Sequence, residues 1–128
     1  MNPVLSQIKV TPMGEFETVI FGHPASSVFF PRAVFNEYHL KAFNCTIIGD
    51  FLEITRFVVQ DKGCGHGGRL LDDLDEWAKD RGLRLCLTPL PYGENSEMAS
   101  RRLINFYKRK GFVLKPDDMW CPEVMYRP

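Results

Sequence analysis

The chain has 128 residues, 45% of them hydrophobic, which fits a single domain spanning 1–128 with a real core. Sixteen basic residues balance sixteen acidic ones, so no global field draws the protein to nucleic acid or an anionic membrane, and a nucleic-acid partner would need a local patch. Cys45, Cys64, Cys86 and Cys121 form no CxxC pair and no Cys/His cluster, which excludes a zinc ribbon or a disulfide scaffold and leaves free thiols in a reducing cytoplasm as the expectation.

The opening MNPVLSQIKV is too polar for a secretory h-region, and no apolar run approaches a membrane span. Val4 to Val10 alternates loosely, and Phe16 to Phe21 does so after the turn at Pro12, Met13 and Gly14. Both read as strands that could form a hairpin. His23 to Ser27 reads as a loop. Val28 to Phe43 fits either an extended segment or a short helix starting at Pro31, with Val34, Tyr38 and Leu40 or Ala42 inward, and the helix is preferred. Cys45 to Ile48 is a short strand, which Gly49 and Asp50 turn back into a long one, Phe51 to Val59, rich in aromatic and β-branched residues. Strict alternation there puts Glu53, Thr55, Phe57 and Val59 on one face, with Ile54, Arg56 and Val58 on the other.

Gly63, Gly65, Gly67 and Gly68 then crowd into six positions, where side chains would keep a ligand off the backbone. Leu70, Leu71, Leu74, Trp77 and Ala78 recur at helical spacing, with Arg69, Asp72, Asp73, Asp75 and Glu76 on the opposite face. The first amides of that helix lack partners within it and its dipole is positive there, so a phosphate is the natural occupant. Gly82 stops the helix, and Leu83 to Thr88 reads as a strand parallel to the first. Pro89 to Gly93 makes a rigid loop. Asn95 or Ser96 can cap a second helix running to Lys110, with Met98, Ala99, Leu103 and Phe106 inward. Gly111 ends it, and Phe112 to Leu114 and Glu123 to Arg127 read as closing strands.

Three readings compete for the glycines. Gly63, Gly65 and Gly68 satisfy the dinucleotide fingerprint, but the acidic residue expected about twenty positions on is missing and six parallel strands do not fit this length. A nucleotide-triphosphatase loop fails because Arg69, rather than Lys and then Ser or Thr, follows the glycines. The third reading is that the chain resembles the GNAT superfamily of acyl-CoA-dependent N-acetyltransferases. Its motif is Gln or Arg, two residues, Gly, one residue, then Gly or Ala, followed by a helix with a leucine pair. Gln60, Gly63 and Gly65 match literally. Lys62, Gly65 and Gly67 also match in spacing and put Leu70 and Leu71 at the leucine positions, and this register is preferred for its helix phase. The later FYKRKGF, with Phe106, Tyr107, Gly111 and Phe112 at the family's spacing, is similar too, although Ser100 stands where the family often has Asn.

The resemblance implies a mixed α/β fold: a twisted, mostly antiparallel sheet of about 6–7 strands flanked by 2–4 helices. It implies acetyl-CoA as cosubstrate, no metal, and an amine acceptor of unspecified kind. The strand end Phe57, Val58 and Val59 would meet the thioester and pantetheine. The amides from Lys62 through Gly63, Cys64, Gly65, His66, Gly67 and Gly68 would hold the diphosphate. Tyr107 matches the tyrosine that protonates the departing thiolate, and Glu53 stands where several members place a base. Read without the family, Cys64 is a small loop residue, His66 a turn residue, and His23 and His39 carry no metal spacing. Arg101, Arg102, Lys108, Arg109 and Lys110 form a solvated basic face, with contact to the CoA 3′-phosphate or to nucleic acid as the minority reading. A non-catalytic GNAT-like binding or regulatory module is the alternative of another class, and a dinucleotide-binding protein comes third. A homodimer is left open.

Overall fold

The structure, a computed structural model, describes residues 2–12, 19–20, 23–60, 63–87, 97–114 and 125–128. At the start, Asn2 and Pro3 turn the chain before a strand can form. The Asn2 side chain accepts from the Val4 amide at 3.1 Å, so Pro3–Gln7 is a 3-10 turn that buries Leu5, not the first half of a strand. Strand β1 (Lys9–Pro12) pairs antiparallel with β3 (His23–Phe29), and the short β2 (Val19–Ile20) also lies on β3. Among the described residues the first two segments therefore pair with β3 and not with each other as the expected hairpin, and His23 to Ser27, expected as a loop, is strand. Pairing partners on both sides outweigh its turn-like composition, and its polar side chains find partners, Ser27 Oγ lying 3.1 Å from Thr11 Oγ1.

The ambiguous segment resolves into helix α1 (Arg32–Glu37) followed by β4 (Leu40–Ile48), which begins at Leu40 rather than at Cys45. Val34 and Tyr38 point inward at 0% exposure, as the helical spacing requires. Next come β5 (Phe51–Val59), α2 (His66–Lys79), β6 (Arg84–Leu87), α3 (Glu97–Arg109), β7 (Val113–Leu114) and β8 (Met125–Tyr126). The strand order is β1-β3-β4-β5-β6-β8-β7 with β2 beside β3, eight strands in all among the described residues. Of the paired strands among the described residues only β5 and β6 run parallel, with α2 as their crossover. Among the described residues this is a mixed, mostly antiparallel open sheet with three α-helices, the α/β class expected.

Helix α2 lies on the sheet through Leu70, Leu71, Leu74, Trp77 and Ala78, all buried with Leu52, Ile54, Leu85 and Leu87 of β5 and β6. Each fully buried leucine contributes about 1.5–3 kcal/mol. Asp75, expected on the solvent face, is instead 7% exposed, its Oδ2 lying 3.1 Å from Lys79 Nζ and 3.6 Å from Arg127 Nε. On α3 the buried stripe is centred on Tyr107, at 6% exposure, with Leu103 and Phe106 only partly covered. The side chains of Met98 and Ala99, like Lys62, Cys121 and the loop at Pro89 to Gly93, lie outside the described residues. Gly111, with φ +88°, closes α3 in a conformation that L side chains resist.

Candidate active site

The central strand is not a regular ribbon. Cys45 pairs with Ile54 and the preceding Asn44 with Arg56, so Thr55 is an extra residue, a β-bulge. Its hydroxyl donates to the Asn44 carbonyl at 3.1 Å and anchors the bulge. One added residue reverses the alternation beyond it. Phe57 and Val59 thus face the helical core with Leu52 and Ile54, and Glu53 and Arg56 share the opposite face. This corrects the strict alternation, which put Glu53 with Phe57 and Val59 and put Arg56 away from it. The β6 pairing runs from Phe51 to Ile54, so the partners of Phe57, Val58 and Val59 among the described residues are on β4 alone.

Beyond β5, Gly63 and Gly65 have φ of +85° and +81°, values that a residue with a Cβ adopts only under strain. Gly65 is the N-cap of α2 and supplies no side chain to its first turn. Arg69 N–H closes the first intrahelical bond on the Gly65 carbonyl at 3.1 Å, which leaves the amides of His66, Gly67 and Gly68 ahead of it without an intrahelical acceptor. No backbone carbonyl among the described residues takes an amide of residues 63–68. Gly63, Cys64 and Gly65 are exposed, and His66 and Gly67 half-buried. A Cβ on Gly67 would stand 3.2 Å from Phe57 Cζ and 3.3 Å from Val59 Cγ2, so this glycine lets the helix end settle directly on the strand end.

Gly68 is small for another reason. A methyl there would overlap the Lys110 ammonium and lie 2.6 Å from Lys110 Cε, so the lysine at the end of α3 reaches across to the first turn of α2. No carboxylate among the described residues pairs with that ammonium. A cation at the positive end of a helix is electrostatically unfavourable until an anion joins it. Tyr107, one turn earlier on α3, packs its ring at 5.2 Å from Phe106 and 5.4 Å from Phe112, and burial pushes its pKa up to about 12. Glu53 is half-buried on the other side of the sheet, where desolvation pushes its carboxyl above the usual range.

A third group came from a stretch whose sequence carries no motif. The corner after α1 docks onto the start of α2: Arg69 donates to the Glu37 carboxylate at 3.1 Å and to its carbonyl at 2.6 Å. The Tyr38 hydroxyl donates to Asp73 at 2.6 Å, and burial, with this bond, raises the phenol's pKa. His39 stacks on His66, ring centroids 3.9 Å apart and planes at 14°. Neither this corner nor Lys110 beside Gly68 was legible in the sequence, because both contacts join residues remote in the chain.

Cys45 and Cys86 are buried, Cys64 is exposed, and none of the three is in a disulfide. Among the described residues no His, Cys, Asp and Glu group is arranged to hold a metal, and no helix is long and apolar enough to cross a membrane. No protein-family model matches the chain, and no curated protein does. Among solved structures, the anti-CRISPR protein AcrVA5 is similar with a TM-score of 0.56 and 27% identity, over 67% of this chain and 87% of that one. An acetyltransferase of Bacillus subtilis in complex with CoA is similar with a TM-score of 0.45 and 14% identity, over 82% of this chain and 76% of that one.

Proposed function

We propose that the protein is an acetyltransferase that moves an acetyl group from acetyl-CoA to a primary amine by direct attack. The observation that carries this reading is the row of amides at Gly63 to Gly68 that have no backbone acceptor among the described residues, opening at the positive end of α2 beyond a strand bulged at Thr55. The residues suit a diphosphate: backbone donors without side chains in the way, and the Lys110 ammonium against Gly68. Lys62 would extend the same row. Bound acetyl-CoA supplies the thioester, and the protein positions it. Phe57, Val58 and Val59 would offer the backbone edge along which the pantetheine lies, with an amide directed at the thioester oxygen.

The two proton-handling groups stand on opposite faces of the sheet. Tyr107 belongs to the cluster under α2 and α3, whereas Glu53 points away from it. Attack from one face with departure to the other needs this division. Glu53 would take a proton from the acceptor ammonium on its face, and Tyr107 would give one to the thiolate on the other. A phenol whose pKa is about 12 keeps its proton at neutral pH and is available to donate it. The carboxyl of Glu53, raised by burial, is nearer the pH at which a base is most effective.

Calorimetric titration with CoA and acetyl-CoA tests the reading, and absence of binding would end it. If CoA binds but the wild type transfers no acetyl group to any amine tested, the chain is a CoA-binding module and not an enzyme, whereas a rate unchanged in Tyr107→Phe removes Tyr107 from the mechanism. The likeness to AcrVA5 favours a second, compatible reading of the acceptor side, that the target belongs to a CRISPR system. An interference assay with the wild type and Tyr107→Phe decides it: loss of inhibition in the variant supports the reading, and a wild type without effect refutes it.

A further inference from the structure

His39 is the one described residue other than glycine with a positive φ, +53°, a left-handed conformation that costs about 1 kcal/mol. Something must hold it there, and among its contacts two reach the glycine loop. Its carbonyl accepts from the Gln60 amide at 2.8 Å, where β5 ends and the glycine loop begins. Its ring lies flat on His66, where the loop ends and α2 begins. Turning the backbone left-handed lets one residue hold both ends of the loop, the carbonyl taking one and the imidazole the other. Next to it, Glu37 and Tyr38 fix the corner to α2 through Arg69 and Asp73, so the clamp has a rigid base.

We propose that His39 is a positioning residue for the donor loop: it ties Gln60 to His66 and so preorganises the amides of residues 63–66 for a diphosphate. The inference deepens the acetyl-CoA reading and rests on it for its ligand, but its structural part stands alone. Without the ring the loop would sample more conformations, and each binding event would have to reorder it. Affinity for CoA would fall while the chemistry at Glu53 and Tyr107 continued unchanged.

The test uses His39→Asn, which tolerates the left-handed backbone and keeps the carbonyl but loses the stack, and His39→Phe, which keeps an aromatic face. Hydrogen exchange at the Gln60 amide, which donates to the His39 carbonyl at 2.8 Å where the loop begins, is read without ligand, and Kd for CoA and KM and kcat for acetyl-CoA with it. Expected for His39→Asn are faster exchange at that amide, and Kd and KM about three- to tenfold higher with kcat within about twofold, all largely restored in His39→Phe. Unchanged exchange in His39→Asn, or a fall in kcat with KM preserved, overturns the proposal. If the wild type binds no CoA but exchange responds as expected, the clamp holds and the acetyl-CoA reading fails, so the two failures are told apart.

Discussion

Substituting Gly68 by alanine separates stability from ligand binding at one atom. Gly68 is helical and free of positive φ, so alanine suits the backbone, and its helix propensity favours the fold by up to about 1 kcal/mol. The added methyl would overlap the Lys110 ammonium and come within 2.6 Å of Cε. What must move is the far end of a flexible side chain, at little cost in stability, but it must leave the position proposed for the diphosphate. A charge-assisted hydrogen bond contributes about 1.5–3 kcal/mol, and at this half-buried position solvent screening puts the loss at the lower end, about tenfold in Kd. The expected result is an unchanged or higher melting temperature with about tenfold weaker CoA binding by calorimetry. Lys110→Met should show the same loss, and the double variant no further loss, because both changes remove one contact. Full additivity, or an unchanged Kd in Lys110→Met, would refute the assignment and leave the methyl itself as the obstacle. Gly67→Ala gives the contrast: its Cβ meets Phe57 and Val59, which are packed, so about 1–3 kcal/mol of stability should go as well.

Tyr107→Phe should lower kcat by about 10²–10⁴ and leave Kd for CoA unchanged, measured by steady-state kinetics and calorimetry. Because burial raises the Tyr107 pKa to about 12, above the unfolded value near 10, its contribution to stability is complete below about pH 10 and is lost as pH rises toward 12; alkaline denaturation of wild type against Tyr107→Phe checks the sign. Glu53 must be ionised to act as base, and its pKa is raised, so kcat should fall with falling pH at a point above the usual carboxylate range, and Glu53→Gln should remove that acidic limb along with most of the activity. Leu74→Ala, at a fully buried position of α2, should cost about 2–5 kcal/mol in urea unfolding, and a loss under 1 kcal/mol would contradict the packing described.

Much of the half from β5 onward was legible from sequence because it is built from local physics. The β5 span, the apolar stripe of α2 and the stops at Gly82 and Gly111 follow from side-chain period and from left-handed turns that only glycine adopts easily. The amides of 63–68, which have no backbone acceptor among the described residues, follow from the same glycines. In the N-terminal half the chain's own preferences were weaker. His23 to Ser27 has the composition of a loop, and it is strand because β1 and β4 supply hydrogen-bond partners on both sides.

What determined the site beyond that was contact between segments far apart in the chain. The Thr55 bulge exists only in the register with β4, and it alone decides that Glu53 and Arg56 look one way while Phe57 and Val59 look the other. Lys110 reaches Gly68, and His39 reaches Gln60 and His66, only because the sheet brings α1, α2 and α3 to one face. Sequence carries the period of a strand and the freedom of a glycine, since each depends on a residue and its immediate neighbours. Register, and which cation stands beside which amide, depend on pairing across the sheet, and are decided when the strands close on one another.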